Sequence, residues 1–552
     1  MPEQTSLVSS LDLTITIVYL LGVVALGLYA GWRMRHKATA GESRDYFLAG
    51  GTLRWPIIGM ALFATNISCV HLVSLAQAGY DDGLLQGNFE WMAATTLILL
   101  SLLFAPFYIR SRISTLPDFL ERRYNRACRD LLAVFSLVSA VVVHIGFSFL
   151  TGGLVIEKMF GISFYTGIVI IAALTALYTI VGGLLAVVLT EAIQTVVLIV
   201  GAALITWFAY DAIGGWEAMV ATVKQAGAAD KLSMLRPHGD PSGMPWYAIL
   251  LGYPVLGIWY WCADQTIVQR VLGAKDENHA RVGPLFAGFI KIIPVFIFVL
   301  PGLMAFALVQ KGGLDISALP VVDGKVDTKN IYTVMITQLL PSGAVGLVIA
   351  ALLAALMSTV SGALNSISTL VAFDLYQRFR PQASDRQLVF TGRVAAAVAM
   401  VVAIGLVPLL LQQASIFKAL NDIIAHIAPP VTCVFTLGVF WKRANAISAQ
   451  VTMVVGGLVG VGVFTLNKLY PGTFLAGIPF MMMAFYLLVF CVLLQVTVAL
   501  ASGKPVPESS AKLCWDSPLE PLRGPAWPGI GNYKFLTFLL IAVMAVLYYI
   551  FR

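Results

Sequence analysis

Ala64-Thr65-Asn66-Ile67-Ser68-Cys69-Val70-His71 lies inside an apolar run and puts amide, hydroxyl and imidazole groups at the depth where a membrane-crossing helix would be driest. A backbone can leave helical geometry there only if it lines a protein-buried or watery cavity, because hydrocarbon offers no partner to a freed N–H or C=O. A second run, Tyr253-Pro254-Val255-Leu256-Gly257-Ile258-Trp259-Tyr260-Trp261-Cys262-Ala263-Asp264, contains both a proline and a glycine. Counted along the chain, the two stretches are the second and seventh apolar runs. Interrupted helices five crossings apart are the expected trace of inverted repeats around a midplane site. Proline and glycine are common in transmembrane helices, so the pattern needs support from the rest of the chain.

That support begins with composition. The 552 residues are 59% hydrophobic and 11% charged, and the mean hydropathy is +0.86, more apolar surface than a water-soluble core can hide. Runs of bilayer-spanning length recur from Leu13–Trp32 to Phe535–Ile550, about fourteen in all. The first is too long for a signal-peptide core, and its basic residues Arg33, Arg35 and Lys37 follow rather than precede it, so it reads as a retained span. The chain reads as one polytopic domain over 1–552, with an extra helix at about 13–32, a core at about 56–441 and further helices at about 446–550. The longer polar connections, near 211–245, 310–330 and the proline-rich 501–533, read as loops rather than modules.

The formal charge of +7 does not form a nucleic-acid-binding stripe, because the basic residues sit in short loops. With alternating spans, one set of loops holds 24 of the 35 Lys and Arg, Arg270 among them, while Lys291 falls inside a span. The positive-inside rule then places the N-terminus outside. Six cysteines without a CxxC pair suggest neither a zinc cluster nor a disulfide framework.

Candidate functional residues come from membrane-depth chemistry. Ionisable groups there are expensive, which singles out Glu90, Glu191, Asp264 and Lys291, although Glu90 and Asp264 could instead snorkel or cap near an interface. Of the histidines, His71 is a binding candidate and His144 reads as packing. In the ninth span Ala351, Ala354, Ala355, Ser358, Ser361, Gly362 and Asn365 share one helical face. Small residues serve close helix packing, and the hydroxyls of Ser358 and Thr359 also suit a hard cation beside the freed carbonyls of a broken helix.

An ordered set of stretches resembles the sodium:solute symporter family and, within it, the sodium/glucose cotransporter branch. They are Asp45-Tyr46-Phe47-Leu48-Ala49-Gly50-Gly51, the Ala64 to His71 segment, Phe89-Glu90-Trp91, Trp259 to Gln265 with Val268-Gln269-Arg270, Ile290-Lys291, Met357-Ser358-Thr359, Asn365-Ser366 and Phe440-Trp441-Lys442-Arg443. The resemblance implies an all-α integral membrane fold of the leucine-transporter type, with an inverted five-plus-five helix core and alternating access. It implies a sodium site of backbone oxygens from Ala64, Ile67 and Ala355 with the hydroxyls of Ser358 and Thr359, and a sugar site of Asn66, His71, Glu90, Tyr260, Trp261 and Lys291. Where many sugar-transporting relatives carry glutamine in the eleventh span, this chain has Asn421. A second sodium site would involve Glu191 and Ser361, but the pattern's aspartate is Glu191 here and one expected serine is Gly362.

The implied activity is sodium-coupled import of a hexose or related polyol; an inositol, a monocarboxylate or a sialic acid is the alternative. Sodium is the expected coupling ion, with a bilayer, no organic cofactor, no nucleic acid and no obligatory protein partner. The expected location is the plasma membrane, or the inner membrane in a bacterium. An enzyme would need a nucleophile with its base or a metal cluster, and the sequence has neither HExxH nor GxSxG. Gly456, Gly457, Gly460 and Gly462 imitate a phosphate loop, but inside an apolar span they read as helix-packing residues. A sensor is expected to add a soluble domain, and the last span runs directly to Arg552.

Overall fold

The computed structural model describes residues 8–36, 42–240, 242–322, 324–410, 416–517 and 519–552, so Lys37 lies outside the described residues. Among them, twelve helices are long and apolar enough to cross a membrane. Helix α1 spans Ser10–His36. The stretch Ala64 to His71 is divided as its polarity predicts: α2 (Trp55–Asn66) ends, Ile67 and Ser68 are extended, and α3 (Cys69–Asp82) begins. After Gly83, at φ 73°, the chain turns into α4 (Asn88–Leu99). Helices α5 (Arg126–Ser139) and α6 (Phe147–Phe160) join through a π turn at Ala140–Gly146.

Helix α7, Phe164–Ile213, has 50 residues. A straight helix of that length would reach about 75 Å, over twice the ~30 Å of hydrocarbon. Gly183 interrupts it at φ 64°, where a Cβ would meet the Tyr46 carbonyl oxygen at 2.5 Å. The 42-residue stretch Cys69–Arg110 holds the Gly83 break in the same way. Length therefore argues for more than one membrane-depth segment in each.

The second interruption follows α8 (Trp246–Ile258). The helix passes through Pro254 and Gly257, widens into a π turn at Trp259–Ala263 and breaks at Asp264, whose carboxylate accepts the Thr266 N–H and caps α9 (Gln265–Leu272). The proline and glycine are thus not the break. Gly257 instead admits Thr96, whose Cγ2 would lie 2.6 Å from a Cβ there.

Helices α10 (Glu277–Ile290) and α11 (Leu300–Gln310) precede the central α12 (Ala344–Leu370). Its most apolar stretch is 89% buried, against 28% for α1. The periphery comprises α13 (Asp385–Leu410), α14 (Ile416–Phe440), α15 (Ala446–Leu469), α16 (Phe480–Ser502) and α17 (Tyr533–Ile550), although α14 also returns to the core. Val18, Val401 and Phe538 are 65–72% exposed, a surface that suits acyl chains and not water.

Close helix approach is made by glycine. A Cβ on Gly302 of α11 would stand 1.9 Å from the Ala76 carbonyl oxygen of α3, and one on Gly79 would stand 2.1 Å from that of Val299. In α15, Gly456 and Gly460 press on Cys491 and His426, but Gly457 and Gly462 have nothing within 4 Å, so packing accounts for only half of that glycine set. Gly302→Val should therefore abolish monodisperse protein in fluorescence-detected size exclusion, with Gly457→Val eluting as the wild type; equal yields would contradict the close crossing.

Candidate functional site

Glu90 lies in the first turn of α4, and Lys291 caps the C-terminal end of α10. A helix N-terminus favours negative charge and a C-terminus positive charge, so each residue carries the sign its helix end stabilises. Both are 1–2% exposed, and the Lys291 ammonium donates to Glu90 Oε2. It also donates to Asn66 Oδ1 at 2.5 Å, and Asn66 Nδ2 donates to the Tyr260 hydroxyl at 3.1 Å. The ammonium stands 5.7 Å from the Trp261 ring centre. One polar network thus joins the end of α2, the start of α4, the π turn after α8 and the end of α10.

These groups line a cavity of about 100 Å³, room for several waters, since one needs roughly 10–15 Å³. Asn66, His71, Glu90, Tyr260, Trp261, Lys291 and Asn421 all lie on its wall. Six elements supply them: α2, α3, α4, the π turn after α8, the end of α10, and α14. The Nδ1 of His71 accepts the Ser68 N–H at 3.2 Å, closing a cap on the start of α3, so the ring's proton is on Nε2. The wall therefore offers a carboxylate, an ammonium, an imidazole N–H, two amides and aromatic faces, a set that can both donate to and accept from hydroxyls.

Two sequence alternatives resolve here. Glu90 and Asp264 are 2% and 5% exposed, so neither snorkels; Asp264 does cap a helix, at the second break, while Glu90 lies on the cavity wall. His144 is more than packing: it lines the cavity, and its Nε2 lies 3.0 Å from Asp264 Oδ2. Its place in an otherwise apolar run concealed this, because the partner is 120 residues away.

The break between α2 and α3 has a second consequence. The Ser68 N–H is turned to His71, so the Ala64 carbonyl loses its ordinary helical partner and is met instead by Ser358 Oγ at 2.8 Å. Ser358 Oγ also lies 3.0 Å from the Ala355 carbonyl oxygen. Three of the five expected cation ligands therefore cluster at one hydroxyl. Thr359 Oγ1 donates to the Thr65 carbonyl at 3.1 Å, which brings in an oxygen the sequence reading did not name; Ile67 is the extended residue at the break itself.

Glu191 and Ser361 are arranged differently. Glu191 faces Arg270, with Arg270 Nη2 2.5 Å from Oε1 and Nε 3.3 Å from Oε2. Ser361 Oγ donates to the Ser358 carbonyl at 3.0 Å. Arg270, grouped with loop residues on sequence, is completely buried in α9. A buried carboxylate demands a counter-charge, and that demand was the available signal for it.

The profile of the Sodium:solute symporter family matches residues 46–456. Sodium/glucose cotransporter 1 of Ovis aries is 32% identical over 539 residues, covering 91% of this chain and 80% of that protein. Sodium/myo-inositol cotransporter 2 of Sus scrofa is 34% identical, covering 85% of this chain and 72% of that protein. The substrate-bound outward-open structure of a Na+-coupled sialic acid symporter superposes with a TM-score of 0.76 at 24% identity, covering 91% of this chain and 99% of that one, which shows the shared fold. With interrupted helices, a membrane-spanning architecture and matches of this extent, the chain belongs to the sodium:solute symporter family, multi-pass secondary transporters that couple a small solute to sodium and are not enzymes.

Proposed function

We propose that the solute is a neutral polyhydroxylated molecule, a hexose or closely related polyol, imported with sodium through the cavity at Glu90 and Lys291. The observation that carries this reading is the internally neutral Glu90, Lys291 and Asn66 network beside Tyr260 and Trp261. A sugar hydroxyl can insert between carboxylate and ammonium by accepting from one and donating to the other, while its C–H face lies on an aromatic ring. A monocarboxylate or sialic acid would find no free cation there, because the Lys291 ammonium is already paired with Glu90. An inositol offers the same ring of hydroxyls as a hexose and is the second reading, supported by the inositol cotransporter among the relatives.

Sodium is assigned to the oxygens of Ala64, Ile67, Ala355, Ser358 and Thr359, because the broken α2 frees carbonyls where α12 supplies hydroxyls. The core at 56–441 would rock around these two sites, with the N-terminus outside and the 122–129 loop in the cytoplasm.

Four outcomes test the proposal. Purified protein in liposomes should take up labelled hexose only under an inward sodium gradient, and a panel with inositol, lactate and sialic acid settles the class; uptake of an anion in preference to sugars would reject it. Glu90→Gln keeps the shape and weakens the acceptor, so half-saturation should rise roughly tenfold, about 1.4 kcal/mol, with sodium dependence retained, and unchanged half-saturation for Glu90→Gln and His71→Ala would remove the sugar from this cavity. Ser358→Ala or Thr359→Ala should raise the half-saturating sodium concentration about tenfold without changing solute preference. The six native cysteines are all buried, so an impermeant thiol reagent should label whole cells carrying a cysteine at Lys231 and not at Arg126; the reverse pattern would invert the topology.

A further inference from the structure

The carboxylate of Glu191 and the guanidinium of Arg270 are both 0% exposed, yet neither touches the solute cavity. Besides the two contacts to Arg270, Glu191 Oε1 lies 2.8 Å from the Thr65 hydroxyl. The remaining terminal nitrogen of Arg270 donates to the Thr266 carbonyl in its own helix. Helix α12 crosses this guanidinium at Gly362. A Cβ there would stand 2.4 Å from Arg270 Nη2 and 3.2 Å from Glu191 Oε1, so a serine at 362 would push the guanidinium out of this position.

Position 362 lies one turn from Ser358 on the same face of α12. Thr65 touches both levels: its carbonyl accepts from Thr359 and its hydroxyl meets Glu191. The buried pair is therefore a second layer directly next to the candidate sodium ligands.

We propose that Arg270 is a resident cation, occupying through Gly362 a second cation position at Glu191 and Thr65, and that it thereby limits this symporter to one sodium per cycle. The inference rests on the sodium-symport reading above. A carboxylate removed from water has to be neutralised by a proton, by an ion from solution or by a fixed side chain. Arginine does this with a planar fork that suits a carboxylate, stays charged at any physiological pH, and is already tethered in place, so a solution ion would have to displace it at a loss of two hydrogen bonds. The glycine and the arginine are two parts of one device: without a side chain at 362 the fork reaches Glu191, and with the fork present there is no hollow for a second ion.

The test counts sodium bound to the purified full-length chain, without solute, using radioactive sodium at equilibrium, with vesicle reversal potentials alongside. Wild-type protein and Arg270→Lys should bind one sodium per chain, and sodium activation of uptake should be hyperbolic. Arg270→Gln and Arg270→Ala leave Glu191 without its fixed counter-charge beside an open hollow, so at alkaline pH, where protons compete least, they should bind two, with sigmoidal activation. Where these variants aggregate in choline chloride, sodium chloride should restore a monodisperse peak, since sodium then supplies the missing counter-charge. One sodium on Arg270→Gln, failure of sodium to restore folding, or two on wild-type protein each overturns the inference while leaving symport intact. No sodium on wild-type protein overturns the symport reading and this inference together.

Discussion

The interruption of one helix at Ile67 and Ser68 is the constraint on which the functional part of the molecule depends. Two residues of extended backbone at membrane depth release carbonyls that neither lipid nor water can satisfy. The protein meets them with Ser358 and Thr359 from α12, which requires that α12 come very close, and that in turn explains why its facing surface is made of alanine, glycine and serine. The same break turns Asn66 toward Lys291 and Tyr260 and lets His71 cap the new helix start. The oxygens proposed for the ion and the groups proposed for the solute are thus two products of a single backbone event, which gives the proposed coupling a physical basis: a ligand that reorganises one side of the break acts on the other through two or three bonds.

Charge is managed by helix ends and by pairing. Glu90 and Lys291 sit at termini whose dipoles suit them, Asp264 caps the helix after the second break, and Glu191 is held by Arg270. Each of these ions would be prohibitively costly alone. Arranged in pairs, they let a highly apolar protein carry four carboxylate or ammonium groups close to its centre, and the Glu90 and Lys291 pair can be opened by a ligand offering hydroxyls in exchange.

Several readings were legible because they rest on residue type at a given depth. Polar groups at 64–71 announced the first break, and Glu90, Glu191, Asp264, Lys291 and His71 were recognisable as groups with no reason to be in lipid, whereas Tyr260 was reached only through the family resemblance. Readings that rest on orientation fared differently. Gly457 and Gly462 belong to the same glycine run as Gly456 and Gly460 and yet face away from any neighbour, because a helix turns about 100° per residue and only one face meets α14. Arg270 was grouped with loop residues because it follows a polar stretch, and Pro254 looked like a breaking point that the helix in fact passes through.

By itself, the sequence determined that the chain spans a bilayer many times, that two of its crossings are special, and that Glu90, Glu191, Asp264 and Lys291 must be protected inside it, since hydropathy, spacing and the cost of membrane-depth charge are local properties. Only the tertiary structure decided which of those residues meet. His144 with Asp264, Glu191 with Arg270 across Gly362, and Ser358 with the Ala64 carbonyl are separated by 79 to 294 positions, and such partnerships depend on how helices cross and rotate, which no single stretch of chain encodes.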